Sequence, residues 1–278
     1  MHIPARRRFM TLTLAVGAAG IAAIYAGTRN DERTDGVAYG ASPRQKLDVY
    51  APEGRSGAHP VVVYFYGGSW QSGERTDSRG VARTLAGRGI VTVAPDYRIY
   101  PETIFPGFIE DAAAAVRWAR DHARDFGGDP GRLIVMGHSA GAHIAAMVAT
   151  DPRYLAAHGM SKTELRGMIG LAGPYATIPP REPHMADIFP AALRGRSMPI
   201  DCLSGHEPPM LLATGTADTV VDPYESARFA DALRAHDDFV ELKQYPGYDH
   251  SRIVDAISAP PRAGSPVLTD IIAFIDAH

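Results

Sequence analysis

The chain has 278 residues, 45% hydrophobic and 21% charged, which is a globular balance and a length for one large α/β domain or two small ones. A formal net charge of -3, with no dense Lys/Arg stripe in the body of the chain, argues against a nucleic-acid partner. One cysteine, Cys202, excludes an intrachain disulfide, and scattered histidines without CxxC or HExxH spacing give no zinc site, so no metal or cofactor is expected.

The chain opens on "MHIPARRRFMTLTLAVGAAGIAAIYAG", with Arg6, Arg7 and Arg8 before an uncharged apolar run over residues 9–26. That is the layout of an export signal. Arg6, Arg7, Phe9 and Met10 fill the positions of the twin-arginine translocation motif. A run of about 18 residues is also long enough to stay as a membrane anchor. Residues 1–29 therefore read as an export signal or anchor. The export machinery is then a partner, and the location is periplasmic or secreted, with anchoring to the inner membrane as the variant. Residues 30–44 are polar and turn-rich and read as a linker. Residues 45–278 form the folded domain.

From there strands and helices alternate. "KLDVYAP" (Lys46–Pro52) is a short strand. "HPVVVYFYGG" (residues 59–68) is a continuous apolar, β-branched run, the pattern of a strand buried on both faces. A helix over residues 80–88 leads to the strand "GIVTVAPDYR". A long helix over residues 108–128 places Ile109, Ala112, Ala113, Val116 and Ala119 on one stripe and ends at Gly127 and Gly128. The strand "GRLIVMG", the apolar helix "GAHIAAMVAT" and the strand "LRGMIGLAGPY" follow. "PPMLLATGTAD" and "FVELKQYPG" are two further strands around the helix "ESARFADALRAH", and "VLTDIIAFIDAH" closes the chain as a helix. This alternation predicts a mostly parallel central sheet with helices on both faces, and ligands at the carboxyl ends of the strands. Residues 175–206, rich in Pro, Met and Arg, read as a small lid-like insertion.

Gly137-His138-Ser139-Ala140-Gly141 is G-x-S-x-G between a strand and a helix. There the serine can stand at a strained bend with its hydroxyl exposed, and the amide of Ala140 points at a substrate. A serine hydroxyl needs a base, and the base needs an orienting acid, both later in the chain in this architecture. Asp218 lies just past "PPMLLAT", where a carboxylate reaches the site. Its rival Asp222 stands before Pro223, at a helix start where capping is expected. His250 lies in a turn-rich loop after the last strand. His236 falls in a helix and reads as solvated. His138 is too close to the serine and points elsewhere, and His143 packs or bonds locally. His158, His184 and His206 fall in loops and stay open as pocket-lining residues. "YFYGGSW" ends an early strand in two glycines. Gly68 and Ser69, with Ala140, are the expected amide donors to an oxyanion, and Gly67 shapes the turn.

Together these residues resemble the α/β-hydrolase fold, and more narrowly the esterases of the hormone-sensitive-lipase and BD-FAE/kynurenine-formamidase type. "YGGSW" is similar to that family's His-Gly-Gly-x-Trp oxyanion loop except at Tyr66, where a phenol replaces the bracing His, with Trp70 as further support. "PDYRIYPETIFPGFIEDAAAAVRWARDHARDFGGDPGRLIVMGHSAGAH" follows the family's D-Y-R…P…F-P…G-D-P-x-R-I…G-x-S-A-G pattern. The resemblance implies a triad of Ser139, Asp218 and His250. It also implies a carboxylesterase-type serine hydrolase that takes small or carbohydrate-linked acyl esters through an acyl-enzyme and needs no cofactor. The first strand begins soon after the leader, which leaves no room for a long N-terminal cap and favours the smaller BD-FAE-like group. An arylformamidase acting on N-formylkynurenine-type amides is the alternative on the same triad. A non-catalytic binding protein on the same scaffold is the reading outside enzymes.

Overall fold

A computed structural model describes residues 31–53, 58–178, 184–258 and 264–278. The leader and its arginine motif lie outside the described residues. Eight strands form one sheet: β1 (Asp31–Ala38), β2 (Lys46–Pro52), β3 (His59–Phe65), β4 (Val91–Pro95), β5 (Gly128–His138), β6 (Leu165–Leu171), β7 (Met210–Gly215) and β8 (Val240–Tyr245). Their order is β1-β2-β4-β3-β5-β6-β7-β8. β1 pairs with β2 and β2 with β4 antiparallel, and every other pair is parallel. The expected mostly parallel sheet is therefore what the chain forms.

β3 shows why. From Val61 to Phe65 its side chains alternate between two cores, and they are aliphatic or aromatic because both faces are covered. Val61, Val63 and Phe65 pack with α2 (Gly107–His122) and α3 (Ala140–Thr150), through residues such as Ile109, Val116 and Ile144. Val62 and Tyr64 pack on the other face with α1 (Arg79–Ala86) and α8 (Pro266–Ala277), through Val81, Leu85, Ile271 and Phe274. Burying each large side chain of this kind stabilises the fold by about 1.5–3 kcal/mol. Phe274 also fills the space beside Gly167, where a Cβ would come within 2.7 Å of its ring. Truncating it to alanine would cost about 3–5 kcal/mol.

The stretch expected as a linker folds differently. Residues 31–38 are an edge strand, and Asp48, with no exposed surface, accepts from the Gly36 amide at 2.9 Å and from Arg33 at 3.3 Å. An edge strand is held by backbone hydrogen bonds and can keep polar side chains. It therefore lacks the apolar alternation that marks a strand in sequence. Boundaries shift elsewhere too. α2 stops at His122 and runs into a 3-10 turn closed by Gly127 at φ 77°, while Gly128 already belongs to β5. Two short helices escaped the sequence reading, α4 (Pro152–Ala156) and α7 (His250–Asp255). The insertion carries α5 (Met185–Ile188) and two 3-10 turns before β7. The remaining helix, α6 (Tyr224–Ala235), lies between β7 and β8.

Candidate active site

Ser139 joins β5 to α3 with φ 55° and ψ -123°, a conformation that costs a side-chain-bearing residue on the order of 1–3 kcal/mol. The surroundings impose it. The Ser139 amide donates to Leu171 O at 2.8 Å, and its carbonyl accepts from the amides of Ala142 and His143. The flanking glycines are required by close approach. A Cβ on Gly137 would stand 2.1 Å from Gly141 O, and one on Gly141 would stand 2.1 Å from Phe65 O.

Two other carboxyl-end loops meet this serine. Asp218 lies three residues beyond β7, and its Oδ2 is 2.7 Å from His250 Nδ1. Its Oδ1 accepts from the amides of Val220 and Val221, each at 2.9 Å. Burial pushes this carboxyl up, but the bond from His250 and the two amides outweigh it and hold it below the usual aspartate range. His250 Nε2 is 2.9 Å from Ser139 Oγ. An ionised carboxylate only accepts, so Nδ1 carries the proton and Nε2 presents a lone pair to the serine hydroxyl. His250 is not in an open loop. It opens α7 behind Asp249, whose side chain accepts from the Arg252 amide at 2.8 Å. The signal for that helix was the Asp-x-x-Arg start, obscured by the turn residues before it.

Asp222 stays outside this line. Its Oδ1 accepts from the Tyr224 amide at 2.9 Å, which satisfies an unpaired donor at the start of α6, although Pro223 holds the N-cap position.

The loop after β3 has three successive residues at positive φ: Gly68 at 131°, Ser69 at 51° and Trp70 at 59°. The Gly68 carbonyl closes the turn by accepting from Gln71 and Ser72, both at 3.0 Å. Gly67 brings backbone against the elbow, since a Cβ there would stand 3.1 Å from that of Ser139. Ser69, Trp70, Ser139 and Ala140 line one small cleft with Pro174, Val220 and Val221. Ser69 and Ala140, two of the three residues expected to donate to an oxyanion, therefore border the same cleft as Ser139. Gly68 builds the turn that carries Ser69 there.

Tyr66 braces this loop from inside the protein. Its hydroxyl donates to Asp96 Oδ1 at 3.2 Å and accepts from Arg44 at 2.9 Å, and its ring stacks on Tyr97 at 4.6 Å. Burial, and secondarily the Asp96 carboxylate, push the phenol well above its ordinary pKa, so it stays a hydroxyl. Arg44 also donates to Gly73 O at 2.7 Å and to Tyr97 O at 2.9 Å. A residue from the supposed linker thus ties down the loop, and no sequence pattern marked it.

Two histidines need correction. His138 does not point away from the site: its Nε2 donates to His250 O at 3.0 Å. Burial first, and then repulsion from the His250 ring, push its pKa down to about 4, so it stays neutral. His143 packs in the interior as expected, but its bonds are not local. Its Nδ1 accepts from Trp70 Nε1 at 3.2 Å, and its Nε2 donates to Ser197 O at 2.7 Å in the insertion. Burial pushes it down to about 4 as well. Its neighbour Phe189 meets Trp70 edge-on at 4.9 Å, so the insertion is packed against the oxyanion loop. His158, His184 and His206 do not line the cleft. His206 stands with Pro209 and Leu165 at the amino ends of β6 and β7, the opposite end of the sheet from Ser139. His184 stacks on Tyr100, and His158 borders a separate hollow with Arg153 and Tyr154.

An elbow serine after a central parallel strand, with an imidazole and a carboxylate delivered by the last two strand ends, defines the α/β-hydrolase class. Residues 47–167 match the BD-FAE family model, and residues 177–278 match that of the prolyl oligopeptidase family. The chain has the α/β-hydrolase fold, and its likenesses are to esterases of that fold. It is 30% identical over 270 residues to isoprenylcysteine alpha-carbonyl methylesterase of Arabidopsis thaliana, covering 87% of this chain and 62% of that one. It is 34% identical over 222 residues to esterase LipC of Mycobacterium tuberculosis, covering 72% of this chain and 54% of that one. It thus spans less than two thirds of the length of these curated relatives. Among solved structures, esterase 2 of Thermogutta terrifontis phosphoramylated by tabun superposes with a TM-score of 0.73 at 26% identity, over 90% of this chain and 95% of that one. Esterase B of Lactobacillus rhamnosis shares the fold with a TM-score of 0.77 at 22% identity, over 94% of this chain and 90% of that one.

Proposed function

We propose that this protein is a carboxylesterase-type serine hydrolase, with Ser139 as nucleophile, His250 as general base and acid, and Asp218 as the group that orients His250. The observation that carries the reading is the unbroken line from Asp218 Oδ2 through the His250 ring to Ser139 Oγ, at 2.7 and 2.9 Å. Ser139 Oγ adds to the ester carbonyl while its proton passes to His250 Nε2. Asp218 stabilises the imidazolium so formed. The amides of Gly68, Ser69 and Ala140 are the donors for the oxyanion. Collapse expels the alcohol, which takes the proton from His250, and leaves an acyl-serine. Water then repeats the sequence on the acyl-enzyme and frees the acid.

The cleft over Ser139 is small and mostly apolar, lined by Trp70, Pro174, Val220 and Val221. That favours short acyl groups, on free alcohols or on carbohydrate. An arylformamidase activity on the same residues fits a formyl group in that cleft and is the competing reading.

A fluorophosphonate probe reacts only with an activated serine, so stoichiometric labelling of the protein and its loss in Ser139→Ala test the reading. p-Nitrophenyl esters of rising chain length, acetylated xylan and N-formylkynurenine then sort the substrates. Turnover of N-formylkynurenine far above that of any ester would replace the esterase reading with the amidase one.

The leader supports export by the twin-arginine route. Replacing Arg6 and Arg7 with lysine is expected to keep the protein in the cytoplasm. Delivery that survives this change would remove that route.

A further inference from the structure

We propose that Glu225 sets which acyl groups the cleft admits, by clamping two of its walls together; this deepens the esterase reading and rests on it. The walls come from different loops. Pro174 ends the segment after β6, and Val220 and Val221 belong to the loop after β7 that also carries Asp218. Glu225 lies in the first turn of α6, four residues beyond Val221, and is only 6% exposed. Its Oε2 accepts from three successive amides directly after Pro174: Tyr175 at 3.0 Å, Ala176 at 2.7 Å and Thr177 at 2.9 Å. Its Oε1 accepts from Thr177 Oγ1 at 2.5 Å. Three amides converging on one oxygen form a cradle for an anion, and here the chain supplies the anion itself.

The acid loop has its own internal ties. Asp218 Oδ1 takes the Val220 and Val221 amides, and Asp222 O takes the Glu225 amide at 2.9 Å. Glu225 is therefore the join between a loop already held rigid and the stem of the insertion. The stem has a second anchor. Tyr175 stacks on Phe229 of α6 at 4.9 Å, and its carbonyl accepts from Ile200 where the insertion returns. Loss of the carboxylate then releases the Pro174 wall without detaching the segment. Glutamine can keep its oxygen on the three amides and turn its NH2 to Thr177 Oγ1, so it is the conservative variant.

The test compares kcat/KM for p-nitrophenyl hexanoate with that for the acetate. Glu225→Ala is expected to raise the hexanoate-to-acetate ratio by about threefold or more, a small part of what pocket contacts can discriminate. Glu225→Gln should return the ratio to near the parent value. Thr177→Val, which removes only the hydroxyl bond, should move it the same way by less, and serves if the alanine variant does not fold. A lowered Tm with an unchanged or falling ratio in Glu225→Ala, or in Thr177→Val where only that variant folds, overturns the proposal. Fluorophosphonate labelling separates the two levels. A labelled variant with an unshifted ratio sinks the clamp alone, whereas an unlabelled parent protein sinks the esterase reading.

Discussion

The Nε2 of His138 stands 3.0 Å from the carbonyl oxygen of His250. The residue that precedes the candidate nucleophile thus grips the backbone of the candidate base. Both ends of the Ser139–His250 hydrogen bond are referred to the end of β5. His138→Ala should lower kcat about tenfold to a hundredfold, the scale of a displacement near 1 Å, with KM changed little. Glutamine, which can still donate, should recover part of it. An alanine variant with the parent kcat would mean that α7 alone holds His250.

Ser139→Ala should leave a folded protein with ester hydrolysis lower by about 10³ to 10⁶. Asp218→Asn should lower kcat by about 10⁴, because an amide cannot hold the imidazole in the working tautomer. Asp222→Ala should cost about 1 kcal/mol of stability, the scale of a lost helix cap, and leave kcat alone. Steady-state kinetics beside thermal melts distinguish them. If Asp222 rather than Asp218 proves essential to kcat, the acid is wrongly assigned.

Arg44 donates to Tyr66, Gly73 and Tyr97 around the oxyanion loop. Arg44→Met keeps much of the apolar stem and removes all three bonds. Hydrolysis and fluorophosphonate labelling should slow together by about tenfold, since the change acts on an oxyanion donor rather than on binding. A higher KM with unchanged labelling would speak against that role.

Stability should fall on the acid side. Burial holds His138 and His143 down to about 4, against an unfolded value near 6.5. Between those values the unfolded chain binds protons that the folded chain refuses. Stability is therefore full above about pH 6.5, and is lost progressively as pH falls toward 4. The full shift is on the order of 3 kcal/mol for each ring. Urea midpoints at pH 7.5, 6 and 5 should decline in that order, and His143→Gln should flatten the decline. A flat profile through this range would show that the rings titrate normally.

Much of the site was legible because its chemistry is written locally. The elbow needs glycine on both sides of Ser139, and backbone crowding leaves no substitute there. A strand buried on both faces must be apolar throughout, so β3 and the core of β5 announced themselves, and the acid and base follow strand ends in a fixed chain order.

What the tertiary structure decided is whatever depends on residues far apart in the chain meeting in space. The edge strand β1 was hidden because its backbone, not its side chains, makes the pairing. Arg44 bonds Tyr66 and Gly73 across 22 and 29 positions, His138 bonds His250 across 112, and Glu225 bonds Tyr175 across 50. None of these contacts leaves a periodicity or a spacing, because a hydrogen bond between distant segments is set by where the sheet carries its loops. The sequence by itself determined seven of the eight strands of the sheet and the candidate nucleophile, acid and base. Only the packed chain determined which polar side chains hold them in register, since a buried donor or acceptor takes whichever partner the fold brings within about 3 Å.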